Sequence, residues 1–278
     1  PTDACNDAAG RGHTTFNGYF DRNMAGRVVQ AVGKPDFVTF TNVFAHMDDL
    51  QGVVEALKAV LSPSTVIVIE NHYLGSVLAR NRFDTFYHEH PRTYSATSFD
   101  HISKSLGLGL VEVEFPSRYG GNIRVCLGNE NRSKEKSILN INEIKKEEEN
   151  FSSDFISLQH KMNRWVEARK RFFDRAVKVH GRLRAKAFPG RAAILVKMLG
   201  LDERTISVVY EKPGSMKIGH YLPGTRIPIR SDEELFALQD WSGPMINFAW
   251  HISGEIEGYL RKNGYRGEII DILNAEDF

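Results

Sequence analysis

Apolar and polar positions alternate along the first part of the chain in the manner of a parallel sheet with helices between its strands. Residues 36–42 form a short apolar stretch, and residues 48–61 carry apolar side chains at helical spacing before Pro63. Residues 65–70 are an almost wholly apolar, β-branched run, which is typical of a strand buried on both faces. Strand, helix and strand in this order predict a right-handed βαβ unit.

A hairpin is predicted next. Residues 97–106 have helical periodicity, and two further apolar stretches, 108–115 and 122–127, read as strands. They flank Gly120-Gly121, a connection that favours an antiparallel hairpin. Residues 131–150 are rich in Lys, Glu, Asn and Ser, and this composition predicts a charged connection.

A long helix and a second alternating pattern complete the chain. Apolar side chains recur at helical spacing over residues 151–179, and Gly181 is placed to end that helix. From about residue 184 the predicted strands are 206–210, 245–249 and 268–272, and the predicted helices are 191–199, 231–238 and 253–263. The fold class is therefore α/β with two lobes, and the expected divisions are 1–130, 131–182 and 183–278.

Composition narrows the classes of function. Lys and Arg number 36 against 35 Asp and Glu, so no long-range field would steer the chain to nucleic acid or to an acidic membrane. Cys5 and Cys126 are too few for a disulfide framework or a cysteine zinc site, and they suit the reducing cytoplasm. No apolar run approaches the roughly 20 residues of a membrane span, and the first 20 residues do not resemble a signal segment. We expect a cytoplasmic protein.

Three polar segments follow the strands predicted in the first lobe. Asn42 and His46 follow the first strand, residues 71–73 follow the second, and Tyr87-His-Glu-His90 comes after them. Because ligands bind beyond the carboxyl ends of parallel strands, we expect these segments to meet at one cleft. A zinc site is disfavoured, because the two histidines four apart on a helix that metalloproteases use are absent. A neutral imidazole here can remove a proton next to a carbonyl.

Five segments are distinctive when taken together. They are Asn42-Val-Phe-Ala-His46, Phe83-Asp-Thr-Phe-Tyr-His-Glu-His90, Tyr94-Ser-Ala-Thr-Ser98, Gly120-Gly-Asn-Ile-Arg-Val125 and Lys217-Ile-Gly-His-Tyr-Leu-Pro-Gly-Thr-Arg-Ile-Pro-Ile229. In these segments the chain resembles the sugar C-methyltransferases of antibiotic and surface-polysaccharide pathways. The resemblance covers roughly residues 36–275, and the segments occur in the family's order and spacing.

The resemblance implies a Rossmann-like methyltransferase sheet followed by a helical linker and a smaller Rossmann-like lobe that helps to hold a nucleotide-linked sugar. It implies the C-methylation of a keto-deoxysugar by S-adenosylmethionine, after proton abstraction next to the ketone. His90 is then the base, Tyr87 and Glu89 assist it, and Asn42 and His46 line the cleft. Proton abstraction with enolate stabilisation suits a donor that is already electrophilic.

The resemblance also implies substrate contacts outside this loop. Asn122 is one candidate, in the segment that contains the glycine pair. At the first turn of the second lobe, Gly190 and Arg191 either reach a phosphate or form a plain strand-to-helix turn, two alternatives of equal weight. The other candidates lie in one segment that is alternatively a surface loop, and they are Lys217, His220, Tyr221 and Arg226.

The donor site departs from the family pattern. Whole members begin with a cysteine-rich zinc segment and a strand that leads into a Gly-rich donor loop, and neither precedes Asp36. Gly10-Arg-Gly12 follows no apolar strand and reads as a linker. We therefore expect an amino-terminally truncated member with an incomplete donor site. A non-catalytic nucleotide-sugar-binding protein is the alternative, and an NAD-dependent sugar enzyme ranks last because the second lobe lacks a G-x-G-x-x-G turn.

Overall fold

The computed structural model describes residues 2–117, 121–132 and 135–278, and these residues divide into two compact units. The first unit runs to Ala79 and resumes from His88 to Asp154. The second unit consists of Arg80–Tyr87 and Phe155–Phe278. Helix α7, Phe151–His180, therefore begins in the first unit and continues in the second.

Two helices precede the first sheet. They are α1, Thr2–Gly10, and α2, Arg22–Val32, and no element was predicted for either segment. The Asp21 side chain caps α2 by accepting a hydrogen bond from the backbone N–H of Met24, the arrangement that short acidic side chains favour at helix starts. Met24 and Ala25 are buried, so α2 contributes to the first unit's packing.

The first sheet has four strands in the order β1, β2, β4, β3. β1 and β2 are parallel and are joined through helix α3, as the βαβ prediction required, and β4 is antiparallel to both β2 and β3, which confirms the hairpin. The bounds are β1 Phe37–Thr41, α3 Leu50–Val60, β2 Val66–His72, α4 Leu74–Ala79, α5 Ala96–Ser105, β3 Gly109–Glu114 and β4 Asn122–Gly128.

The loop between β3 and β4 is described only in part, and Gly120 lies outside the described residues. Gly121 has a φ of +113°, a region that side-chain-bearing residues avoid. A Cβ atom at this position would collide with the Ser76 Oγ, so the backbone here passes close to α4. Hairpin geometry and close packing together account for this glycine.

The first unit's core lies on one side of this sheet. Ile69 and Val125 are paired on neighbouring strands of the sheet and pack with the buried rings of Phe44 and Phe99. The charged connection expected over residues 131–150 is wrong in part, because helix α6, Glu135–Glu148, occupies most of it. Its Ile141 and Ile144, three positions apart, are buried in the same core.

The second unit contains a five-stranded sheet in the order β7, β6, β5, β8, β9, with every strand parallel to its neighbour. The chain runs outward from β5 to β7, then returns to place β8 on the other side of β5, which confirms a Rossmann-like lobe. The bounds are β5 Leu183–Lys186, α8 Ala192–Leu199, β6 Ile206–Glu211, β7 Ile229–Ser231, α9 Asp232–Leu238, β8 Met245–Asn247, α10 Ser253–Lys262 and β9 Ile269–Asp271.

Candidate functional site

A hydrogen-bonded polar network lies where β1, β2 and β4 meet. Asn42, directly after β1, accepts a hydrogen bond at Oδ1 from the Asn122 Nδ2 over 3.2 Å. The same Nδ2 donates to Glu70 Oε1 at 3.0 Å, and the Arg124 guanidinium donates to Glu70 Oε2 at 2.7 and 2.9 Å. Glu70 and Asn122 are buried, so the pairing with Arg124 offsets the cost of burying a carboxylate.

The backbone leaves β1 at Asn42, which has a left-handed conformation. Its φ is +53°, a conformation that asparagine tolerates better than most side-chain-bearing residues, and its N–H donates to the Glu70 carbonyl at 2.8 Å. The short turn that follows, Phe44–His46, is anchored by the buried Phe44 ring. This turn places His46 at the same edge of the sheet as the end of β2.

Three imidazoles gather at that edge. The ring of His90 lies 4.8 Å from the ring of His46 and 5.4 Å from the ring of His72, measured between centroids. His72 is the last residue of β2 and His90 lies in the loop before α5, so the cluster draws on three separate segments. The structure thus brings together His46 and His90, as expected, and adds His72, which was noted as polar but given no role.

The other members of the predicted loop are placed differently. His88 and Glu89 are exposed, with Glu89 Oε1 3.9 Å from His88 Nε2. By its contacts Tyr87 belongs to the second unit, whereas His88, Glu89 and His90 belong to the first. Across residues 2–117, 121–132 and 135–278, no group of three or more His, Cys, Asp and Glu side chains is arranged to hold a metal ion.

Asn71, between Glu70 and His72, is a buried amide. It is 1% exposed, and neither its Oδ1 nor its Nδ2 has a hydrogen-bonding partner in the part of the chain that is described. Because an unpartnered buried amide costs free energy, such a group is expected to meet a polar partner in the working protein. Its position at the end of β2 places it beside the imidazole cluster along the strand.

In the second unit, Arg191 lies at the turn between β5 and α8, beyond the carboxyl end of β5. Its guanidinium forms an ion pair with the fully buried Asp84 and donates to the Thr85 Oγ1 at 3.3 Å. Its guanidinium carbon also lies 5.4 Å from the centre of the Trp250 ring, in the turn after β8. Gly190 directly precedes it, so this turn adjoins the point where the strand order reverses.

Burial and the positive charges at this turn change the pKa of neighbouring side chains. Burial raises the pKa of the Asp84 carboxyl, although the positive charges of Arg191 and Arg82 oppose the change. His251 keeps an accessible surface, but the buried part of its ring and the charges of Arg191 and Arg82 lower its pKa to about 4. His251 is therefore neutral at neutral pH, and the positive charge around this turn comes from Arg191 and Arg82.

The remaining substrate candidates lie in the segment between β6 and β7. Lys217 Nζ donates to the Phe188 carbonyl at 2.6 Å, so it braces the β5–α8 turn from outside. His220, Tyr221 and Arg226 are exposed, and the backbone around them is held by hydrogen bonds between Leu222 and Ile227 and between Ile229 and His220. These three side chains are presented by an ordered loop.

Sequence reasoning missed Glu70, Arg124 and Asp84. Glu70 carried a signal, because it is the one charged residue in the otherwise apolar run of residues 65–70. Asp84 and Arg191 are separated by more than 100 positions, so no local pattern could have paired them. The residues that pair with these charged side chains can be identified only from the fold.

Comparison with known proteins matches two family models to successive parts of the chain. A model described as the C-methyltransferase C-terminal domain matches residues 117–270, and one described as a methyltransferase domain matches residues 3–113. The curated protein "C-methyltransferase NovU" of Streptomyces niveus is 27% identical over 264 residues, which cover 92% of this chain. The chain spans 62% of that relative's length. Within the described residues, no helix has the length and apolar character needed to cross a membrane.

Proposed function

This chain belongs to the C-methyltransferase family defined by the matched C-terminal domain, and on that premise we propose that it C-methylates a nucleotide-linked keto-deoxysugar. The methyl group goes to the carbon next to the ketone, and S-adenosylmethionine is the donor. The observation that carries the proposal is the imidazole cluster around His90 at the carboxyl edge of β1 and β2. A sheet edge of this kind is where ligands bind in open α/β folds.

Proton abstraction is the step for which this chain supplies the groups. The neutral imidazole of His90 takes the proton, the carbon–hydrogen bond breaks, and its electron pair moves to the ketone oxygen as an enolate. Glu89 and Tyr87 assist, His46 borders the base, and the Asn42–Asn122 pair offers amide groups at the same edge. The donor, when bound, supplies an electrophilic methyl group.

The described residues supply only part of a binding site for the methyl donor. Residues 2–36 hold the helices α1 and α2 and no strand, so a strand that leads into a Gly-rich donor loop is not among them. The buried Asn71 amide, whose two polar atoms have no partner among the described residues, is a group for a ligand at this edge to meet. The proton-abstraction step does not depend on the donor.

The second unit is proposed to hold the nucleotide part of the substrate. Gly190 and Arg191 lie at the turn beyond β5, and the exposed side chains of His220, Tyr221 and Arg226 offer cationic and aromatic groups for phosphate and base. Lys217 is already bonded to the turn's backbone, so its role in this proposal is to shape the turn as well as to add charge.

A non-catalytic nucleotide-sugar-binding protein is the second candidate. Such a protein would bind the nucleotide-sugar without exchanging the proton next to its ketone, and NMR in D₂O distinguishes the two functions.

The proposal is tested in a chain that also carries the family's strand and Gly-rich donor loop, by methyl transfer from ¹³C-methyl-labelled S-adenosylmethionine to a nucleotide-linked keto-deoxysugar, followed by NMR of the product. We expect a new methyl on the carbon next to the carbonyl. His90→Gln should lower turnover by roughly 10²–10⁴-fold, the usual contribution of a positioned base, with little change in nucleotide-sugar affinity.

His88→Gln is the matched control, because His88 is exposed two residues away and has no proton to move in this mechanism. We expect it to be much milder than His90→Gln. A methyl group found on oxygen, or equal turnover in the two variants, would contradict the proposal.

A further inference from the structure

Residues 81–86, which come just before the loop that carries His90, are held to the second unit by a series of side-chain contacts. We call these residues the anchor segment. Three pairs join it to α7, and they are Lys161 Nζ with Asn81 Oδ1 at 3.1 Å, the Phe83 ring with the Trp165 ring at 5.3 Å and the Phe86 ring with the Phe155 ring at 6.1 Å, the last two measured between centroids. The middle of the segment is buried.

The polar centre of the anchor segment is Asp84, and its partner is Arg191. The Asp84 side chain has no exposed surface, and the Arg191 guanidinium pairs with it and donates to the Thr85 Oγ1 at 3.3 Å. Only 16% of the Arg191 side chain is exposed, so most of it lies against protein. Arg82 adds a second positive charge near the carboxylate. A pair buried to this extent holds both partners in place, because either charge alone would be poorly solvated.

A second set of contacts follows the loop, in the first unit. The Arg92 guanidinium donates to the Met47 carbonyl and, at 2.9 Å, to the Asp48 carbonyl. Residues 87–91, which include His90, therefore lie between two stretches that are each fixed by side-chain contacts. One stretch is fixed to the second unit and the other to the first.

A short loop fixed at both ends has few conformations, so the position of its catalytic side chain depends on both ends. Catalytic side chains commonly lie on loops of this kind, held by a rigid scaffold. Displacement of a reacting group by about 1 Å can lower the rate by roughly 10²-fold. The ion pair at Asp84 is thus placed to influence the base from six positions away.

We propose that Asp84 is a positioning residue, which through its pair with Arg191 fixes the anchor segment to the second unit and so sets the position of the loop that carries His90. The resemblance gives Asp84 no role of its own. The effect on the base rests on the proposed function. The anchoring itself concerns the free protein and does not depend on any substrate.

The anchoring is tested by amide hydrogen exchange, followed by NMR, in the free chain. The backbone N–H groups of Thr85, Phe86 and Tyr87 are hydrogen-bonded to carbonyls, so their exchange reports the opening of this segment. Asp84→Asn removes the charge that Arg191 holds, and exchange at these three amides should become roughly 10–100-fold faster. Asp202→Asn, which removes a carboxylate paired with an exposed arginine, is the matched control and should leave them unchanged.

A milder variant keeps the test decisive if Asp84→Asn does not fold. Thr85→Val removes one acceptor of the Arg191 guanidinium and keeps the shape of the side chain, so the same amides should exchange roughly 2–10-fold faster. The hydrogen-bonded amides of Leu183 and Ala187 report the rest of the second unit and should change less. Exchange at the parent rate in the folded variants, or equal acceleration at Leu183 and Ala187, would overturn the proposal.

The catalytic part has a separate readout in D₂O. If the parent exchanges the proton next to the substrate's ketone, folded Asp84→Asn should do so roughly 10–100-fold more slowly, without a weaker affinity for the nucleotide-sugar. A general loss of structure would lower both. If the amides exchange faster but the parent leaves the substrate's proton in place, the anchoring stands and the proposed function fails. If the parent is active and folded Asp84→Asn matches its rate, the positioning role is wrong.

Discussion

Asp84 is a carboxylate with no exposed surface, and it forms an ion pair with Arg191. The Arg191 guanidinium pairs with it and reaches Thr85 and Trp250 as well. Burial of an ion pair brings little net stability, but loss of one partner leaves an uncompensated charge in a poorly solvated place. Arg191 therefore has a structural role in the second unit, in addition to any contact with a phosphate.

Substitution of Arg191 tests this role. Arg191→Met should lower the free energy of unfolding of the second unit by about 3–5 kcal/mol, the usual cost of orphaning one member of a buried pair. The change in the free energy of unfolding is measured by urea denaturation, monitored with a spectroscopic probe in the second unit. Arg204→Met is the control, because Arg204 is 87% exposed in its side chain and pairs with Asp202 at the surface.

The double variant Asp84→Asn with Arg191→Met separates pairing from packing. Removing both charges should recover part of the lost stability, since no buried charge then remains without a partner. If the double variant loses the sum of the two single losses, the two residues do not act as a pair.

At the scale of elements, Glu148 joins two helices of the first unit. It is the last residue of α6 and is buried, and its carboxylate accepts hydrogen bonds from the Ala96 and Thr97 backbone N–H groups at 2.7 and 2.8 Å. These are the first residues of α5, where Ser95 and Ser98 form a capping box. A negative charge at a helix N-terminus is favoured by the helix dipole.

Glu148→Ala should therefore destabilise the first unit. We expect a loss of about 2 kcal/mol in the free energy of unfolding, because two charge-assisted hydrogen bonds and a helix cap are removed together. Thermal or urea unfolding measures the change, and Glu149→Ala, at an exposed neighbouring position, is the matched control. Equal losses in the two variants would show that the cap contributes nothing.

The elements that could be predicted were the long or strongly periodic ones. The helix expected over residues 151–179 is α7, and the run of residues 65–70 is the start of β2. Strands β5 and β7, of four and three residues, are too short to show a period of two. Helix α6 was missed because charged residues dominate its composition and its stability comes from packing against β3 and α5.

At the scale of the whole molecule, the two-lobed α/β architecture was predictable because each lobe repeats strand and helix patterns. Of the candidate site, the gathering of His46 and His90 followed from the rule that strand ends share one sheet edge. The role of Glu70 did not follow, since its partners Asn122 and Arg124 lie more than 50 positions along the chain. Contacts between residues so far apart in the sequence are set by the register of the sheet.

Exchange of the substrate's own proton tests the central claim most directly. In D₂O without any methyl donor, a nucleotide-linked keto-deoxysugar mixed with this chain should lose its NMR signal at the carbon next to the ketone, because His90 removes that proton reversibly. His90→Gln should slow the exchange by roughly 10²–10⁴-fold and His88→Gln should not. Exchange at the same rate in the parent and in His90→Gln, or binding of the sugar with no exchange in the parent, would contradict the account.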